Sequence, residues 1–121
     1  MSTEELPPWL REQLARFEQS QRNLQAILAQ KQQIELEINE IERATEELKK
    51  IEADDTVYRH VGPILIKVKR DDMLKDLEDK KEIDNTRSAI LTKQETRLRE
   101  SLKELQAKIN EALRSKSPPP T

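Results

Sequence analysis

One short segment near the middle of the chain constrains its fold more than any other feature. The segment TVYRHVGPILIKVKR, residues 56–70, holds the only Gly, the only Tyr and the only His of the sequence. On both sides of Gly62 and Pro63, mostly β-branched side chains occupy every second position. This period of two around a glycine-centred turn predicts a β-hairpin over residues 56–69.

The sequence before the hairpin predicts one long helix, over residues 9–53. Two adjacent prolines precede it, which suits a helix start because the first turn makes no use of their missing N–H groups. From Trp9 to Ala53 the sequence has no Gly or Pro. Its apolar residues recur at steps of three and four, a spacing typical of a coiled-coil face. Between Leu28 and Ile34 the spacing slips by about one position, with Lys31 inside the stripe, which indicates a local change in supercoil.

The sequence after the hairpin predicts a second helix, over residues 71–114. Asp71 and Asp72 fit its N-cap and first turn, where acidic side chains are favourable. Its apolar residues again follow helical spacing, but the part from Lys80 to Ala89 is more polar and should pack less well.

The two predicted helices have nearly the same length. The arms Leu10–Ala53 and Asp71–Arg114 are 44 residues each. At a rise of about 1.5 Å per residue, each helix would be about 66 Å long. Equal helices joined by a short hairpin should fold back as an antiparallel coiled coil, with both chain ends together and away from the hairpin.

The composition also favours an elongated coiled coil. Hydrophobic residues make up 34% and charged residues 38% of the 121 positions. This balance is typical of a coiled coil, and the apolar content is too low for a compact core. We therefore expect a mainly α fold in one subunit over residues 1–121. Residues 1–8 are expected to be flexible, and the tail SKSPPPT, residues 115–121, to be disordered because its prolines cannot continue a helix.

Several functions are excluded by simple counts. A net charge of −2, from 22 basic and 24 acidic residues, argues against a nucleic-acid partner. One Gly, one His and no Cys leave no phosphate-binding loop, no zinc cluster and no His- or Cys-based catalysis. No apolar run approaches about 20 residues, and the start MSTEELPPWL lacks the layout of a secretion signal. We expect a cytoplasmic protein that is not an enzyme and uses no cofactor, metal or membrane.

The predicted hairpin is too apolar to be stable by itself. A two-stranded hairpin is marginal in water, and its outer edges offer unpaired N–H and C=O groups. The helices extend away from it, so only other subunits can cover its apolar face, for example by closing into a β-barrel. The alternative is a hairpin that caps its own coiled coil in a monomer or dimer.

The order of helix, hairpin and equal helix resembles the β-class subunits of the archaeal prefoldin family. The hairpin motifs carry this resemblance. They are D-D-x-V-Y at residues 54–58 and V-G-x-I-L-I-K-V at residues 61–68. The resemblance covers nearly the whole chain, residues 8–114.

The resemblance implies a hexamer of two α-class and four β-class subunits, whose hairpins form a β-barrel platform that carries the coiled coils. It further implies that unfolded proteins are held between the coiled-coil ends without ATP and are passed to a group II chaperonin. The residues that carry over as subunit-assembly residues are Val57, Tyr58, Val61, Ile64, Leu65, Ile66 and Val68.

Position along the helices, rather than a motif, indicates where clients would bind. The only Trp and the only Phe, Trp9 and Phe17, lie near the start of the first helix. Antiparallel folding brings them beside the end of the second helix, where fraying would expose apolar groups. Alternatively, both aromatic residues staple the coiled-coil end. The residues expected to bind clients are Leu6, Trp9, Leu10, Leu14, Phe17, Ile109, Ala112 and Leu113.

The leading hypothesis is therefore an ATP-independent holdase subunit. The main alternative is a structural coiled-coil spacer that oligomerises through the hairpin and binds one specific partner. A coiled coil that bridges nucleic acids is disfavoured by the net charge.

Overall fold

Two long helices flank a two-stranded hairpin, in the predicted order. The computed structural model describes residues 6–115. Of the predicted flexible segment 1–8 and the predicted disordered tail 115–121, residues 1–5 and 116–121 therefore lie outside the described part. The elements are helix α1 (Pro8–Lys50), strand β1 (Val57–Val61), strand β2 (Ile64–Val68) and helix α2 (Arg70–Ser115). The predicted fold class, an antiparallel two-helix coiled coil with one hairpin at the connection, is confirmed. Closure of several hairpins into a barrel platform stays a prediction.

Helix α1 ends at Lys50, three residues before the predicted end at Ala53. A turn follows, in which the Glu52 N–H donates to Asp55 Oδ2 over 2.8 Å and the Asp55 N–H donates to the Glu52 carbonyl over 3.1 Å. The Arg70 guanidinium donates to the carbonyl of Ile51 over 2.6 Å. The Arg70 contact satisfies a carbonyl that the helix end leaves without a partner, and it depends on a residue distant in sequence.

Helix α2 begins at Arg70 and runs to Ser115, so each end lies one residue beyond the prediction of 71–114. The carbonyl of Lys69 accepts the N–H of Met73 over 3.1 Å. Lys69 is therefore the N-cap residue, and the predicted N-cap at Asp71 is wrong. Asp71 lies in the first turn, where its carboxylate accepts a hydrogen bond from the Arg70 guanidinium over 3.1 Å. The negative charge of this carboxylate is also stabilised by the positive end of the helix dipole.

The hairpin is antiparallel, and its register is set by a two-residue turn. Val61 pairs with Ile64, and Val57 pairs with Val68 at the other end. Gly62 has a φ of 55°, which L side chains rarely adopt. Together with the fixed negative φ of the following proline, this matches a type II′ turn, the kind that suits the twist of hairpin strands. An added Cβ at Gly62 would meet nothing within 4 Å, so conformation, not space, requires glycine there.

Contacts divide the chain into two units. Among the described residues, the terminal unit combines residues 6–30 with residues 91–115, and the hairpin unit is Lys31–Ile90. In the terminal unit, the start of α1 packs against the end of α2. In the hairpin unit, the end of α1 lies beside the start of α2. The helices are therefore antiparallel within each unit.

Burial along α1 follows an unbroken alternation of steps of three and four. The positions that show it are Leu10, Gln13, Phe17, Ser20, Leu24, Ile27, Lys31, Ile34, Ile38, Ile41, Thr45 and Leu48. The predicted slip between Leu28 and Ile34 is wrong, because Lys31 occupies a regular heptad position. Apolar residues alone gave a broken pattern, since polar side chains fill several core positions.

Helix α2 also places polar side chains at core positions. Its buried and half-buried positions in the middle of the helix are Lys81, Asp84, Ser88, Leu91 and Glu95. In contrast, Ile83 and Ile90 are 59% and 51% exposed. The polar stretch noted in the sequence thus extends into the helix interface itself.

Candidate functional site, the hairpin face and the terminal cluster

The register of the hairpin assigns each side chain to one of two faces. In an antiparallel pair, directly opposed residues share a face, and successive residues alternate between faces. We call the more apolar of the two the hairpin face. Its members are Val57, Arg59, Val61, Ile64, Ile66 and Val68.

Exposure on the hairpin face rises towards the turn. Val57 is buried and Val68 is half-buried, so the base of the hairpin packs within the chain. Val61, Ile64 and Ile66 are 44%, 55% and 43% exposed. Clustered exposed apolar side chains of this kind mark interaction surfaces on proteins. The predicted assembly residues near the turn are therefore available to a partner, whereas Val57 is not.

The predicted assembly residues do not form one surface. Tyr58 and Leu65 lie on the opposite face from Ile66, which they share with His60 and Lys67. Both Tyr58 and Leu65 are more than half exposed. The sequence already indicated these two faces, because Tyr58 and Leu65 are each one position away from the residues of the hairpin face in their strands.

Arg59 is a charged residue of the hairpin face that was not among the predicted site residues. It lies on the hairpin face opposite Ile66, and its guanidinium donates to the carboxylate of Asp76 on α2. This ion pair directs a charged side chain from the apolar face towards the helix and links the hairpin to α2. A charged residue at an apolar position of the alternation was the available signal.

The sheet also has unpaired edges. Within residues 6–115 it consists of β1 and β2 alone, so each strand has one edge without a backbone partner in the chain. Such edges are templates for pairing with strands of another chain.

A second apolar site, the terminal cluster, lies where the start of α1 meets the end of α2. Its buried centre consists of Leu10, Ile109 and Ala112. Around this centre pack the half-buried residues Leu6, Trp9, Leu14, Phe17 and Leu105. The carbonyl of Pro7 accepts the N–H groups of Leu10 and Arg11, both over 3.0 Å, which starts α1 and sets the direction of these side chains.

The predicted client-binding residues differ in how far their side chains are exposed. Leu10, Ile109 and Ala112 are at most 4% exposed, so they hold the helices together in this structure. The half-buried rim keeps part of its apolar surface accessible. Leu113 lies outside the cluster and is 49% exposed. Leu105 was not predicted as a site residue, although it lies one helical turn from Ile109.

Two ion pairs join α1 and α2 in the hairpin unit. Lys80 Nζ lies 2.9 Å from Glu37 Oε1, and Lys81 Nζ lies 3.2 Å from Glu42 Oε1. The hydrogen bond to Glu37, and then the charge of that carboxylate, raise the pKa of Lys80 above its ordinary value of 10.5. The Lys80 side chain is 59% exposed, so solvent limits the contribution of the pair to ~1 kcal/mol or less.

The described residues form neither a metal site nor a membrane span. Among residues 6–115, no group of three or more His, Cys, Asp and Glu side chains is placed to hold a metal ion. In the same part of the chain, neither helix is long and apolar enough to cross a membrane.

An antiparallel helix pair with an exposed apolar hairpin defines the class of hairpin-bearing coiled-coil proteins. A family model described as "Prefoldin subunit" matches residues 11–116. The prefoldin subunit beta of Saccharolobus islandicus (strain L.S.2.15 / Lassen #1) is 44% identical over 110 residues, which cover 91% of this chain and 87% of that protein. The prefoldin subunit beta of Archaeoglobus fulgidus is 40% identical over 109 residues, covering 90% and 94%.

A solved structure agrees with these relatives. The crystal structure of the prefoldin beta subunit from Thermococcus strain KS-1 matches with a TM-score of 0.81 and 36% identity, over 96% of this chain and 98% of that one. The chain therefore belongs to the prefoldin family, and its predicted resemblance to the β-class subunits is confirmed. Prefoldins are chaperones and not enzymes, and a prefoldin subunit works together with other prefoldin subunits.

Proposed function

We propose that this chain is a subunit of an ATP-independent holdase, which captures unfolded proteins in the cytoplasm and passes them to a group II chaperonin. The observation that carries the proposal is the exposed apolar surface of Val61, Ile64 and Ile66 on a sheet with free edges. This surface needs neighbouring subunits, and neighbours supply the several binding sites that capture requires.

In the proposed assembly, the hairpins of two α-class and four β-class subunits close into barrels. The hairpin face turns inwards, because burial of its exposed part removes apolar surface from water. Pairing of the free strand edges satisfies their backbone groups. Tyr58 and Leu65 then lie on the outer side of the sheet, where they contact adjacent subunits or a docked chaperonin.

Client capture is assigned to the accessible part of the terminal cluster. Trp9, Leu14 and Phe17 keep accessible surface on the rim, and Leu113 adds an exposed side chain nearby in sequence. A patch of a few hundred Å² yields only several kcal/mol at about 25 cal/mol per Å², before the costs of association. Several such patches on one assembly raise the affinity about 10²–10⁴-fold through effective concentration. A folded client hides its apolar surface and is released without nucleotide.

A structural spacer is the second candidate function. It is favoured by the nearly complete burial of Leu10, Ile109 and Ala112, which closes the helix pair at its ends. A spacer would bind one defined partner and ignore unrelated unfolded proteins.

The experiment compares two leucines of similar exposure. The chain is assembled with an α-class prefoldin subunit, and light scattering follows the aggregation of two unrelated denatured proteins. Leu113→Ser removes a leucine that is 49% exposed beside the terminal cluster, and Leu36→Ser removes one that is 53% exposed in the hairpin unit. About half of a leucine burial is about 1 kcal/mol per copy, so Leu113→Ser should weaken capture at least about fivefold, and Leu36→Ser should not.

Capture at wild-type strength by Leu113→Ser, with Trp9→Ser equally active, would contradict the assignment of clients to the terminal cluster. Absence of any aggregation suppression by the wild-type assembly would favour the spacer. Circular dichroism of each variant checks that both helices remain formed.

A further inference from the structure

A buried carboxylate interrupts the helix interface of the hairpin unit. Asp84 is 2% exposed, and its Oδ2 atom has no hydrogen-bond partner among the described residues. Its Oδ1 atom lies 3.7 Å from Arg87 Nη1, on a side chain that is 60% exposed. At this distance the contact is a loose ion pair and not a hydrogen bond.

The surroundings of Asp84 do not compensate for its burial. The Glu37–Lys80 ion pair joins the two helices near this level, and the heptad positions indicate that Ile38 lies in the same layer as Asp84. The two nearby lysines, Lys80 and Lys81, are engaged by Glu37 and Glu42 of α1. Both lysines are therefore paired with other carboxylates, and the arginine that contacts Asp84 is largely exposed to solvent.

An under-satisfied buried charge weakens the contact that buries it. A carboxylate loses its hydration on burial and regains little from a long contact to one exposed arginine. Local separation of the helices lets water hydrate the carboxylate again, and this hydration lowers the free energy of the open state relative to the closed state. The free energy of local unfolding differs between segments of a protein, and segments whose buried polar groups lack hydrogen-bond partners open first.

We propose that Asp84 is a built-in weak point, at which residues 81–88 of α2 lose their contacts with α1 and unwind in the native protein while the remaining helix contacts of the hairpin unit persist. The intrinsic opening does not depend on any partner. If the proposed holdase function is correct, the opening lets the helix pair yield to clients of different size.

Native-state hydrogen exchange of the full-length chain, alone and assembled with an α-class subunit, tests the proposal. Asp84→Leu replaces the carboxylate by an apolar group, and Asp84→Asn removes the charge but keeps a polar group. Asp79→Leu is the matched control, because Asp79 lies on the exposed side of the same helix. Amides of residues 81–88 should exchange at least about tenfold more slowly in Asp84→Leu, by less in Asp84→Asn, and at wild-type rates in Asp79→Leu.

The thermal midpoint should rise in Asp84→Leu and stay unchanged in the control. The inference is overturned if Asp84→Leu folds with unchanged exchange, or if both Asp84 variants exchange faster and melt at a lower temperature. The latter result would mean that the carboxylate is satisfied by a bound water or a partner group. These readouts involve no client, so they stand or fall separately from the holdase proposal.

Discussion

Ile66→Asp is the sharpest test of assembly through the hairpin. Ile66 lies on the hairpin face, 43% exposed, in the β2 strand opposite Arg59. Full burial of an isoleucine is worth about 1.5–3 kcal/mol, so covering its exposed part contributes about 1 kcal/mol. An aspartate there would lose this term and would also bring an unpaired carboxylate into the interface, at a further cost of several kcal/mol.

The sum is about 4 kcal/mol or more at each hairpin, which corresponds to a dissociation constant raised about a thousandfold. Sedimentation velocity of the chain mixed with an α-class subunit should therefore show separate subunits for Ile66→Asp at micromolar concentration. The control is Ile83→Asp, because Ile83 is 59% exposed on α2, outside the hairpin. It introduces the same charge and should assemble normally.

Circular dichroism should show unchanged helix content for both variants, since the hairpin contributes ten strand residues to the chain. Assembly of Ile66→Asp with wild-type mass and affinity would refute burial of the hairpin face between subunits. Loss of assembly by Ile83→Asp as well would show that the effect is one of charge and not of this surface.

Two further predictions concern contacts between α1 and α2. Arg70→Met removes the donor to the Ile51 carbonyl and should lower the free energy of unfolding by about 1–2 kcal/mol, read from urea denaturation, with the exposed Arg97→Met as its unaffected control. Lys80→Met removes the pair with Glu37. Because the pKa of Lys80 is raised in the folded state, its stabilisation is complete below pH 10.5 and is lost as the pH rises through the folded pKa. Wild type and Lys80→Met should therefore differ at pH 8 and converge at high pH, and a constant difference would contradict the assigned cause.

The hairpin could be predicted from the sequence because its signals are local. A period of two, β-branched residues and the glycine turn all lie within fifteen residues, and the observed register follows from them. The helix ends were less accessible. Helix α1 stops at Lys50 partly because Arg70, twenty residues later, reaches the carbonyl of Ile51, and no local propensity contains that contact.

The helix interface was hardest to predict where apolar and core positions differ. Lys31 and Asp84 occupy regular heptad positions, whereas Ile83 and Ile90 face outwards. A pattern built from apolar residues alone loses the heptad spacing wherever a core position is polar. It then predicts a slip that does not occur. One continuous heptad through both helices, with polar residues allowed at core positions, identifies Asp84 as a core residue from the sequence alone.

The two candidate surfaces depend on each other in the proposed function, and this dependence has a consequence for Ile66→Asp. Each terminal cluster offers only a half-buried rim, because its centre at Leu10, Ile109 and Ala112 is occupied in holding the helices. One rim binds a client weakly, and the gain of about 10²–10⁴ comes from joining several. Ile66→Asp leaves every residue of the terminal cluster intact, yet it should abolish aggregation suppression at equal subunit concentration. If dissociated subunits protected clients as well as the assembly does, valency would not be the basis of capture, and a single terminal cluster would have to be a strong site by itself.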